Sequence, residues 1–182
     1  MNKRNEQAIK TAITCFEAAI AIDPDFALSY AFLADAYFAL GTELVAALPP
    51  AEALAKGEAA ALQAVELDDT LAEAHTALAV IRLYSWRWAE AEQGFKRALE
   101  LNPNYGAAHL WYALYFASQG RIGEAIAMIG IAGRNTTSIG ALGSIYARAG
   151  RKGDARRILD ELLEMKKHRH VSFTCLQIST QI

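Results

Sequence analysis

The sequence predicts an all-α solenoid built from antiparallel helix pairs, and three features carry that prediction. Alanine is abundant while proline is confined to Pro24, Pro49, Pro50 and Pro103, so long helices are broken at only a few places. Small and aromatic residues recur at fixed offsets in successive segments. The offsets alternate between two patterns, so the repeating unit is a pair of helices.

One pattern runs Ala12, Phe16, Ala19, Pro24 and returns as Ala91, Phe95, Ala98, Pro103. The other runs Tyr30, Leu33, Ala34, Tyr37, Gly41 and returns as His109, Tyr112, Ala113, Phe116, Gly120. Each position has a physical task. Small residues at Ala34, Ala79, Ala113 and Gly143 let helices approach closely, while Phe16, Phe95, Ile129 and Leu159 fill the space between neighbouring pairs. Proline or its substitute stops the second helix of a pair. Gly41, Gly120 and Gly150 are expected to close the first helix in a left-handed conformation, which costs glycine little.

These spacings resemble the tetratricopeptide repeat, whose signature W-x2-L-G-x2-Y followed by A-x3-F-x2-A-x4-P recurs about every 34 residues. The resemblance covers nearly the whole chain as one array, residues 1–182. It places a partial unit at 1–24, units at about 27–71, 72–105, 106–135 and 136–170, and the start of a further helix at 171–182. Starts at 27 and 72 are 45 apart, an excess assigned to a long loop over Thr42 to Pro50. Starts at 106 and 136 are 30 apart, which calls for a short second helix ending between Gly130 and Thr137. More narrowly, the segments AVELDDTLAEAH, SWRWAEAEQGFKRALELNPNYGAAHLWYAL and ALGSIYARAGRKGDARRILDELLEMKKHRHVS resemble repeat modules of bacterial signalling proteins, namely winged-helix regulators, cyclases and serine/threonine kinases.

What the resemblance implies is a right-handed superhelix whose concave face is lined by the first helix of each pair. The family's groove positions then fall on Leu28, Phe32, Asp35 and Phe38, on Thr76, Val80, Leu83 and Tyr84, and on Leu110, Trp111 and Leu114. The fifth unit offers smaller groups. Phe32, Phe38, Tyr84 and Trp111 are expected to form one continuous apolar surface for an extended or helical segment of a partner protein. The carboxylate-clamping variant of the family needs Lys, Arg and Asn where this chain has Ala, Phe, Asp, Thr and Val. Asp35 has two open roles: pairing with Arg82, or receiving a Lys, Arg or amide group from a ligand.

Composition bounds the alternatives. Hydrophobic residues make up 53% of the chain, enough for a core without staples, and the formal charge of −2 lacks the basic footprint of a nucleic-acid binder. Lys3, Arg4 and Lys10 ahead of the apolar run Ala12 to Ile22 imitate a signal peptide, but Glu17 interrupts the run and no small-residue cleavage site follows. No apolar stretch reaches the length of a membrane span. Cys15 and Cys175 have no metal-ligand or CxxC spacing, which fits a reduced cytoplasmic setting.

Catalytic chemistry, metals and cofactors are not expected. His75 and His109 occupy the aromatic place of the repeat pattern and read as packing residues. His168 and His170 form an HxH lacking a third ligand at suitable spacing. Asn135-Thr136-Thr137 matches a glycosylation acceptor by chance, and Gly130, Gly133, Gly140 and Gly143 lack the Lys and the preceding strand of a phosphate loop. The cations between Arg148 and His170 read as a solvated helix face. The expected function is a protein-interaction scaffold, and the alternative is a self-association segment forming homo-oligomers.

Overall fold

The computed structural model describes residues 3–42 and 45–168, which form helices with no strand among them. The helix start expected at 171–182 lies outside the described residues, as do His170 and Cys175. The chain divides into two compact units, residues 1–103 and 104–182. The first holds α1 (Lys3–Ile22), α2 (Ala27–Gly41), α3 (Pro50–Leu67), α4 (Ala72–Tyr84) and α5 (Trp88–Leu101). The second holds α6 (Gly106–Ser118), α7 (Ile122–Ile131), α8 (Thr136–Arg148) and α9 (Lys152–His168). Neighbours in sequence pack as pairs, α2 on α3, α4 on α5, α6 on α7 and α8 on α9, as the all-α reading requires.

Turn chemistry creates the pairs. Three residues join α4 to α5, α6 to α7 and α8 to α9. In each turn the last N–H donates to a carbonyl five residues back, Arg87 to Arg82, Arg121 to Phe116 and Arg151 to Tyr146, all at 2.9 Å. This is the Schellman closure, and it needs a left-handed residue just before the donor. Gly120 and Gly150 supply it with φ of 75° and 70°, and Trp86 supplies it with φ of 62°. The donor arginine then pairs with a carboxylate three residues on, Arg87 with Glu90, Arg121 with Glu124 and Arg151 with Asp154.

Gly41 departs from its expected role. It is the last residue of α2 and is not left-handed; a Cβ there would instead collide with Ala53 Cβ. The long connection after it ends at residue 49, because Pro50 opens α3, a place where its missing N–H costs nothing. Extra length is also spread into the helices: α2 has 15 residues against 13 in α4, and α3 has 18 against 14 in α5. Conversely α7 has only 10 residues, short of α5 by about one turn. The connection after α7 consequently runs against the start of α6, where a Cβ on Gly106 would lie 2.8 Å from the Ala132 carbonyl oxygen.

The core of the first unit gathers Leu33, Ala34, Ala60, Ala61, Ala77, Leu78 and Ile81, with Ile13, Phe16 and Ile20 of α1 packed on it. Close approach is literal between α4 and α5, since a Cβ on Gly94 would sit 2.9 Å from Ala79 Cβ and 3.3 Å from the His75 carbonyl oxygen. Next to Gly94, Phe95 is fully buried. In the second unit Ile139, Ile158 and Leu162 form the α8–α9 core.

Two outcomes are expected from stability measurements. Phe95→Ala should lose about 3 to 5 kcal/mol in denaturant unfolding, the usual cost of emptying a buried phenylalanine site. Gly120→Ala should also lose stability, about 1 kcal/mol, because its φ of 75° would place a Cβ in the strained left-handed region although no other atom lies within 4 Å of it.

Candidate ligand-binding groove

Helix α2, ALSYAFLADAYFALG, is apolar almost all round because it packs on α1, α3 and α4. Its remaining side follows helical spacing, with Leu28, Phe32, Asp35 and Phe38 in one stripe. Leu28 and Phe38 are half-buried, Phe32 is 37% exposed, and Asp35 is exposed. Two aromatic contacts hold the stripe in place. Phe16 of α1 stacks on Phe32 with ring centroids 5.8 Å apart, and Tyr84 of α4 meets Phe38 edge to face at 4.7 Å. Tyr84 nevertheless keeps 49% of its surface exposed.

The α4 contribution is narrower than expected. Thr76, Val80 and Leu83, expected on the ligand face, are buried, and the Thr76 hydroxyl is occupied in donating to the Ala72 carbonyl at 2.8 Å. The physical reason is that α4 is covered by α2, α3 and α5, so Tyr84 alone of the four opens to solvent.

Asp35 does not pair with Arg82. The Arg82 Nε lies 3.3 Å from Glu90 Oε2, too poorly aligned for a hydrogen bond, so its ion-pair partner sits across the α4–α5 turn. Among the described residues the Asp35 carboxylate has neither a hydrogen-bond nor an ion-pair partner. Loss of surrounding water pushes its pKa up to about 7. Because Asp35 is exposed at the surface, the solvent that still reaches it discounts the energetic weight of that lost hydration.

In the second unit Leu110, Trp111 and Leu114 are half-buried on α6 and share one side by spacing. The other aromatics of α6 are core: Tyr112 and Phe116 stack at 4.2 Å and Tyr115 closes on both. His109 is buried with Nδ1 3.4 Å from Met128 Sδ, and in the first unit His75 Nε2 lies 2.8 Å from the Asp69 carbonyl oxygen, so both imidazoles have structural neighbours.

Residues 71–129 match the tetratricopeptide repeat family. No curated protein matches the sequence. Among solved structures, the chain is similar to a thermophilic TPR protein of Thermus thermophilus, at 19% identity over 98% of this chain and 92% of that one, with a TM-score of 0.79. It is also similar to PilW, a widely conserved type IV pilus biogenesis factor, at 22% identity over 92% and 74% of the two chains and a TM-score of 0.68. A third likeness is to YrrB, a TPR protein with an unusual peptide-binding site, at 15% identity over 97% and 86% and a TM-score of 0.58. The fold is that of a tetratricopeptide repeat protein.

Within that fold, features outside the groove resolve into structure. Asn135, part of the fortuitous glycosylation match, caps α8, its Oδ1 accepting from the Thr137 and Ser138 N–H groups at 3.0 Å each. Gly133 beside it is left-handed with φ of 88°. Arg151 of the preceding turn and Arg157 of α9 both pair with Asp154, and Arg156 pairs with Asp160. Among the described residues no His, Cys, Asp or Glu cluster could hold a metal ion, and no helix is long and apolar enough to cross a membrane.

The raised Asp35 pKa has a direction in stability. Between its ordinary value of 3.8 and about 7 the folded chain binds a proton that the unfolded chain has lost, so stability falls as pH rises through that window. Asp35→Asn should therefore raise the unfolding midpoint at pH above 7 and leave it nearly unchanged at pH below 4. Because solvent reaches the side chain, the gain should be about 1 kcal/mol rather than the full value of the shift. Thermal unfolding of both proteins at the two pH extremes measures it.

Proposed function

We propose that the chain is a non-catalytic scaffold that holds an apolar segment of a peptide or partner protein against the exposed sides of its first helices. The observation that carries this reading is the aromatic stripe of α2 and α4. Phe32 and Tyr84 keep 37% and 49% of their surface in water beside Leu28, Phe38 and Asp35, and leaving that fraction of such side chains wet forgoes roughly 0.5 to 1.5 kcal/mol each. Leu110, Trp111 and Leu114 on α6 occupy the corresponding helix positions and are assigned the same task. Thr76, Val80 and Leu83, being buried, are left out of the ligand face. The peptide-binding site attributed to YrrB supports use of this fold for holding a peptide. Resemblance to repeat modules of bacterial signalling proteins supports a regulatory setting in the cytoplasm, as does Cys15, an exposed free thiol.

Self-association is the second reading, and α1 favours it. Ala8, Cys15, Ala18, Ala21 and Ile22 are exposed along that helix. Sedimentation at high concentration separates the two, since a clean monomer removes self-association.

The scaffold reading is tested with peptides selected from a random display library on the intact chain. Phe32→Ala should weaken peptides held by the first unit, and Trp111→Ala peptides held by the second, by about 2 kcal/mol or more, the loss typical of a central aromatic anchor, with helicity by circular dichroism unchanged. Trp111→Ala unfolding the protein as severely as Phe95→Ala would make that ring core and remove it from the ligand face.

A further inference from the structure

Asp35 is placed where folding alone gives it nothing. It lies one helical turn from Phe32 on one side and from Phe38 on the other, on the exposed side of α2. The cations whose side chains are described on the helices packed against α2 are engaged elsewhere: Lys10 by Glu6, Lys56 by Glu52 and Arg82 by Glu90. The other titratable groups on those helices leave it alone too. Glu17 accepts from the Tyr37 hydroxyl, Glu58 pairs with Arg87, His75 faces Asp69, and Tyr84 packs on Phe38. Neither these nor Glu6, Glu52, Glu66 and Glu73 contribute to the shift at Asp35, whose only cause is lost hydration.

On the reading that this side of α2 and α4 is the ligand site, we propose that the site selects a peptide segment carrying one basic side chain, Lys or Arg, set among apolar residues. The cation would meet the Asp35 carboxylate directly, and its aliphatic stem and charge would lie along the Phe32 and Phe38 rings. Three physical terms favour such a ligand. An ion pair removes the cost of an unpaired, poorly hydrated carboxylate. Aromatic faces attract a cation, the more so where water is scarce. Lys and Arg stems also cover apolar surface while their heads reach a charge. An acidic residue in the same place is repelled, so Asp35 discriminates between segments of equal apolarity.

The charge state makes the preference pH-dependent. Because lost hydration pushes the Asp35 pKa up to about 7, a basic peptide should bind more tightly as pH rises from about 6 to 8, while the ligand cation itself stays charged. An apolar peptide without a base should show no such rise.

The test is parallel selection of a random displayed peptide library on the intact wild-type chain and on Asp35→Asn at about pH 8, with Phe32→Ala marking groove binders. Wild-type selection should enrich one Lys or Arg flanked by apolar residues, and selection on Asp35→Asn should enrich apolar peptides without it. Replacing that basic residue by Leu should weaken binding to wild type at least about tenfold, equivalent to one charge-assisted contact, and have little effect on Asp35→Asn. The tenfold ratio should shrink toward pH 6. Equal enrichment of basic residues on both proteins overturns the selectivity. Groove-dependent peptides with no basic residue keep the scaffold reading and overturn this one alone. Failure to select any peptide sensitive to Phe32→Ala overturns both.

Discussion

The helix pairs depend on a three-residue turn whose middle residue is left-handed, because that turn fixes the rotation of the second helix against the first. An α-helix advances about 100° per residue, so one residue more or less would swing a different side of α5 onto α4. With the turn as it is, Gly94 meets Ala79 at a distance that leaves no room for another carbon, and Phe95 beside it enters the interior. Small residues therefore do not create the approach by themselves; they permit an approach that the turn has already aimed. The arginine that donates in each turn and then pairs with a carboxylate three residues on ties the end of one helix to the start of the next.

Where this turn is absent, length becomes adjustable. Between α2 and α3 eight residues replace three, and both flanking helices are longer than their counterparts α4 and α5. The pair still packs because its contacts rest on residues such as Ala34, Ala60 and Ala61 within the helices, while the connection is free to lengthen at small entropic cost. Helix α7 shows the opposite adjustment, and its missing turn explains why Gly106 must be glycine.

The helix pairs were legible in the sequence because their determinants are local: the alternation of small and aromatic residues, prolines beyond second helices, and glycine at residues 120 and 150. The exceptions were those where a residue type had a different cause. Gly41 looked like a left-handed closure but answers to Ala53, and the left-handed residue of the α4–α5 turn is Trp86, which no composition rule singles out. At the candidate site, Leu28, Phe32, Asp35 and Phe38 follow from the repeat family's groove positions, and each keeps some surface exposed on α2. The burial of Thr76, Val80 and Leu83 was not legible, because mapping by repeat position treats each first helix alike, whereas α4 is covered on three sides by α2, α3 and α5. Arg82 likewise had a nearer carboxylate in Glu90, eight residues away across the turn, than in Asp35 on another helix.

Helix α2 shows how a ligand face differs from an ordinary wet face. Three of its sides are consumed by α1, α3 and α4, so solubility has only the fourth side to work with. A side serving solubility alone would carry long, strongly hydrated residues such as Lys and Glu, which stabilise an exposed helix and keep apolar surface covered. This one carries Leu28, two phenylalanines and a carboxylate that loses hydration without gaining a partner. Each departure lowers the stability of the unliganded chain, while the aromatic contacts from Phe16 and Tyr84 pack Phe32 and Phe38 at the surface. A preformed, partly dehydrated surface needs less ordering when a ligand arrives, so the energy withheld from folding becomes available to binding.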